Sequence, residues 1–156
     1  MGSPTAADLA ARRRILVADE DPKVVAFIIE SLREDGHAVF HAYDGLSATE
    51  LAFTLGAGCH LVISNTRVGG LPGIELIYLL RSRLPQLPVL YVANIDRSTP
   101  AIEAKLPRDV PILREPFTAD QLRALVNKLL AAERERQLGG GEAIIGVEDG
   151  VAVLPQ

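Results

Sequence analysis

Five short apolar runs, each followed by residues at helical spacing, constrain this chain more than any other feature. The runs are Ile15–Ala18, Ala38–Ala42, Leu61–Ser64, Val89–Ala93 and Val110–Leu113. Between them Val25, Ile28, Ile29 and Leu32, then Ala48, Leu51, Ala52 and Leu55, fall on single helix faces. Leu122, Leu125, Val126 and Leu129 do the same after the fifth run. Strand and helix in alternation imply a parallel sheet covered on both faces. The first and third runs have no polar alternates, as strands buried on both sides require. The fold class is therefore α/β, a doubly wound (βα)5 three-layer sandwich, and a flavodoxin-like sheet order 2-1-3-4-5 is expected for it. A C-terminal β-hairpin is expected as an extension.

Local chemistry marks the boundaries. Asp21-Pro22 supplies an N-cap and a first-turn proline, Thr118-x-x-Gln121 a capping box, and Gly36 a helix stop. Pro100 and Pro107 leave room for about two turns of helix near Thr99–Leu106. Gly139-Gly140-Gly141 predicts a chain break after Leu138. Beyond it Ala143–Leu154 has the pattern of a hairpin around Asp149-Gly150. The expected division is a flank over 1–13, a domain over 14–138 and a tail over 139–156. An isolated hairpin is marginal in water. Its apolar row Ile144, Val147, Val151 and Val153 invites docking or homodimerisation.

Composition narrows the function. Apolar residues make up 48% of the 156, and the formal net charge is −4. No apolar stretch approaches the roughly 18 residues of a membrane helix, and no signal peptide is visible. Cytoplasm is the expected compartment. An acidic balance disfavours general nucleic-acid binding, which relies on cationic contacts to phosphate. Arg12-Arg13-Arg14 is the one basic run and is expected to be a solvated flank. Lone Cys59 excludes an internal disulfide and suits a small buried hydrophobe. His37, His41 and His60 lack zinc-ligand spacing. Gly69-Gly70 and Gly73 lack the Lys-Ser/Thr of a phosphate loop and are expected to be turn glycines.

In a doubly wound sheet the ligand site lies beyond the carboxyl ends of the strands, where strand order reverses. Asp19, Glu20 and Asp21 follow the first strand there; Asn65, Thr66 and Arg67 follow the third; Glu115 follows the fifth. Acids at such a point suit an oxygen-seeking divalent cation. Helix capping alone also accounts for Asp21-Pro22.

These segments resemble the receiver domain of response regulators in two-component signalling, over about Arg14 to Leu130. Ile15-Leu-Val-Ala-Asp19-Glu20-Asp21-Pro22 is similar to the family's opening strand and acidic pair. Leu61-Val-Ile-Ser-Asn65-Thr-Arg67 and the following Val68-Gly-Gly-Leu-Pro-Gly73 resemble its third strand and phosphoacceptor loop. Pro88-Val-Leu-Tyr-Val-Ala93-Asn94 and Ile112-Leu-Arg-Glu115-Pro116-Phe117 resemble its fourth and fifth strands. The resemblance implies that Asp19, Glu20 and the backbone carbonyl of Arg67 fall on magnesium-binding positions. It places Asn65 on the phosphoacceptor aspartate, Ala93 on the switch Ser/Thr, and Glu115 on the lysine. It also implies a cis bond before Pro116.

An aspartate can carry an acyl phosphate, whereas a carboxamide is a poor nucleophile. A degenerate receiver that binds partners without phosphorylation, and is not an enzyme, is therefore expected. No cofactor is required, and Mg²⁺ is a candidate ligand. Asp19, Glu20 and Glu115 crowd like charges, which demand a counter-ion. Arg67 and Arg114 are the candidates. The expected partner is a signalling protein such as a histidine kinase or an effector. Too little chain follows the domain for a DNA-binding domain of typical size. The alternatives are a receiver that is still phosphorylated with metal, and a flavin or small-ligand module on the same fold.

Overall fold

The computed structural model describes residues 12–145. Strands β1 (Arg14–Ala18), β2 (Ala38–Ala42), β3 (Leu61–Asn65), β4 (Val89–Ala93) and β5 (Ile112–Arg114) form one sheet in the order β2-β1-β3-β4-β5. Every pairing in it is parallel, with Val17 opposite both His41 and Ile63. The expected architecture and strand order are both observed. The helices are α1 (Pro22–Arg33), α2 (Gly45–Leu55), α3 (Gly73–Arg83), α4 (Pro100–Glu103) and α5 (Ala119–Ile145). An antiparallel ribbon of two-residue strands, Arg67–Val68 and Leu71–Pro72, links β3 to α3.

Alternation along the strands splits the core in two. Leu16, Ala18, Val62 and Tyr91 pack with Ala48 and Ala52 of α2 and Leu76, Ile77 and Leu80 of α3. On the opposite face Ile15, Val17, Ile63 and Val92 pack with Val25, Ile28 and Leu32 of α1 and Leu122, Val126 and Leu130 of α5. All five residues of β3 and of β4 are buried. Such strands hold their C-terminal ends in place, and those ends carry the site.

The caps follow the sequence. Asp21 accepts from Lys23 N at 2.9 Å with Pro22 in the first turn. Thr118 and Gln121 exchange reciprocal bonds of 3.0 and 2.9 Å, and Gly36 ends its helix at φ 83°. Cys59 is buried, and burial raises its thiol pKa to about 11.

Four expectations change. The α4 helix is a single turn, capped by Thr99, whose hydroxyl accepts from Ile102 N. Strand β5 begins at Ile112 rather than Val110, because Pro111 has no N–H for a ladder. Arg13 is not solvated: it is buried, ion-paired with Glu133 and hydrogen-bonded to Leu130 O, and so fastens α5 to the start of β1. Helix α5 also runs through Gly139-Gly140-Gly141 to Ile145. Glycine lowers helix stability by roughly 1 kcal/mol per residue without forbidding the conformation. Ala143, Ile144 and Ile145 are thus helical where a strand was expected. Val147, Val151, Val153 and the turn at Asp149-Gly150 lie outside the described residues.

Candidate functional site

The C-terminal ends of β1, β3 and β5 bring Asp19, Asn65 and Glu115 together. Asp19 is 3% exposed and Asn65 6%. The Asn65 Nδ2 amide donates to Asp19 Oδ2 at 2.5 Å and to Glu115 Oε2 at 3.3 Å. Its Oδ1 accepts from Thr66 N at 2.5 Å. The reverse orientation of the carboxamide would set its oxygen against two carboxylates, so the network itself defines which atom points where. Asn65 is therefore a neutral cross-tie between two acids.

Burial dominates the ionisation of Asp19. It raises the carboxyl pKa to about 6, against the lowering effect of bonds from the Asp21 and Asn65 N–H groups. The charges of Glu115 and Asp21 add to the rise. Glu115 is steadied further by Asn94 Nδ2, at 3.3 Å from Oε1, and its backbone N–H donates to Ala93 O. The Glu115–Pro116 bond is cis, as expected.

The counter-ion differs from both candidates. Arg67 donates to Gly70 O at 3.1 Å, within its own ribbon. Arg114 grips Glu103 with two bonds of 2.6 and 2.8 Å, on the outer face of β5. The guanidinium that reaches the acidic loop is Arg97, from the β4–α4 loop, at 3.0 Å from Glu20 Oε2. Glu20 also accepts a long bond from Gly70 N. Sequence alone gave no signal for Arg97, because its side chain crosses from a loop with no recognisable motif.

Thr66 is placed at the cleft by the sequence, but without a role. Its buried hydroxyl donates to Val92 O at 3.0 Å and accepts from Asn94 N at 2.8 Å. It ties the end of β3 to the end of β4, where Ala93 offers no hydroxyl. Gly73 completes the site's framework. Its N–H donates to Thr66 O at 2.7 Å, and a Cβ there would collide with the Asn65 carbonyl.

Asn65 turns an N–H, not a lone pair, towards Asp19, and Glu20 is drawn away to Arg97. Among the described residues no group of three His, Cys, Asp or Glu converges as a metal cage. No helix among them is long and apolar enough to cross a membrane.

The sheet order and the position of this cleft define a receiver-type α/β domain. The response regulator receiver domain family matches residues 15–127, and the chain belongs to that family. It is 32% identical over 141 residues to the response regulator protein FleR of Pseudomonas aeruginosa, covering 90% of this chain and 28% of that protein. It is 30% identical to the transcriptional regulatory protein TcrA of Mycobacterium tuberculosis, covering 74% and 45%. The response regulator receiver protein CpdR of Brucella abortus is 27% identical, covering 75% of this chain and 93% of that one. The chain thus spans less than half the length of FleR and TcrA. Among solved structures, a response regulator receiver protein from Sinorhizobium medicae superposes with a TM-score of 0.70 at 26% identity, covering 80% and 98%. NtrX from Brucella abortus reaches 0.73 at 20% identity, covering 84% and 29%, a likeness of fold alone. The chain is a receiver domain of the kind found in the response regulators of two-component signalling.

Proposed function

We propose that this receiver signals by binding partner proteins without being phosphorylated. The observation that carries this reading is the Asn65 carboxamide, cross-tied to Asp19 and Glu115 at the position where the family's phosphoacceptor lies. A carboxamide lacks the carboxylate oxygen that forms an acyl phosphate. Two further positions support the same reading. Ala93 has no hydroxyl to hold a phosphoryl oxygen, and Glu115 would repel one where a lysine would attract it. Thr66 and Arg97 tie the loop ends together through bonds between protein groups. The partner in this reading is a histidine kinase or a downstream effector.

The test is incubation of the protein with acetyl phosphate and Mg²⁺, followed by intact-mass measurement. Unchanged mass is expected for the wild type. A gain of one phosphoryl group mapped to the Asp19–Asn65–Glu115 cluster overturns the proposal.

A further inference from the structure

Beside the site lies a cleft of about 710 Å³, within the roughly 300–1,000 Å³ typical of binding clefts. One wall comes from the segment after β3, the other from the β4–α4 segment. Its apolar lining is Pro72, Ile74 and Ile102. Three cations, Arg67, Arg97 and Lys105, line it with a single acid, Glu75. That is a local reversal of sign in a chain of net charge −4. Among the described residues neither Arg67 nor Lys105 is ion-paired with a carboxylate. Lys105 is exposed, and its backbone carbonyl is held by the Tyr78 hydroxyl at 2.6 Å. The cationic end of this wall is therefore anchored through the main chain while its ammonium stays available.

We infer that this cleft docks a short acidic segment of a partner protein, with one apolar side chain on Pro72, Ile74 and Ile102 and flanking carboxylates on Arg67 and Lys105. The inference rests on the binding-module reading and gives it a surface and a class of partner. Charge complementarity selects the occupant. A compact phosphate group fits less well, because phosphate sites gather several backbone N–H groups at a helix start or turn. Here α4 is only four residues long, the Gly70 N–H already faces Glu20, and Glu75 repels a dense anion. Carboxylates spaced along a peptide can avoid Glu75 while an apolar residue covers the floor.

The experiment uses the full chain and a fluorescein-labelled peptide of sequence Glu-Leu-Asp-Glu-Leu-Asp, with a control in which lysine replaces every acid. Anisotropy at low salt is expected to show binding of the acidic peptide only. Amide shifts should centre on Ile74, Ile102 and Lys105. The exposed-site variant Lys105→Glu should weaken binding about tenfold, and Arg67→Glu added to it should weaken binding further. Circular dichroism checks that each variant stays folded. Three outcomes overturn the inference: no binding of the acidic peptide, equal binding of the lysine peptide, or undiminished affinity in Lys105→Glu. Displacement by ATP at lower concentration than by unlabelled peptide also overturns it, in favour of a nucleotide site. Any of these leaves the phosphorylation test untouched, so the two readings fail separately.

Discussion

Asn65 satisfies both its neighbours because it is neutral and can donate. Asn65→Asp would place a third carboxylate against Asp19 and Glu115 and remove both donated bonds. Without metal, this change is expected to destabilise the fold by about 3 kcal/mol at pH 8, with a smaller loss at pH 5, where a shared proton relieves the repulsion. Urea denaturation at the two pH values checks it, and equal stability at pH 8 would show that the cross-tie contributes nothing. Thr66→Val keeps the shape but strands the Val92 carbonyl and the Asn94 N–H. A loss of about 1–2 kcal/mol is expected from melting curves. Asn65, Ala93 and Glu115 were legible because each stands at a motif position. The bracing role of Thr66 and the arrival of Arg97 were not, since their partners lie on other strands and loops and no local pattern announces them.

At the scale of elements, the β3–α3 junction leaves no room for a side chain at Gly73. Gly73 opens α3 directly against the Asn65 carbonyl and the Ser64 hydroxyl. Gly73→Ala must push α3 off the end of β3, and a loss of about 3 kcal/mol is expected. Asn65 and Thr66 amide resonances should shift with it. A variant with wild-type melting and unshifted amides would show that the junction yields freely. The sequence marked Gly73 only as a turn residue, because a close backbone approach leaves no trace in periodicity. Helix ends carried by local chemistry, at Asp21, Gly36 and Thr118, were legible in full. The length of α5 and the buried pairing of Arg13 with Glu133 were not. A run of glycines signals only a local cost, and a run of arginines says nothing of a partner over a hundred positions away.

At the scale of the molecule, buried Asp19 and half-buried His60 oppose each other in acid. Burial raises the Asp19 carboxyl from 3.8 to about 6. Its share of stability is therefore present below pH 3.8 and lost as pH rises through 6. His60 is lowered from 6.5 to about 4, first by burial and then by Arg13 and Arg14, and its Nδ1 accepts from Arg14 N at 2.9 Å. Its share is present above pH 6.5 and lost as pH falls through 4. The windows overlap, so wild-type melting temperature should vary little between pH 6.5 and 4. Asp19→Asn removes one side of the balance, and its melting temperature should fall over the same range. Parallel wild-type and variant profiles would mean that Asp19 does not titrate there.

The sequence by itself determined the layered α/β fold, because five apolar runs alternating with helix-spaced faces have few other ways to bury themselves. It also determined which residue types stand at three motif positions, an Asn, an Ala and a Glu. Tertiary structure decided what those residues touch. Arg97 rather than Arg67 or Arg114 meets Glu20, Asn65 bridges two acids, and Thr66 braces two strands. Those outcomes depend on where side chains converge after the sheet has closed, and convergence across long separations is encoded in no single stretch of chain.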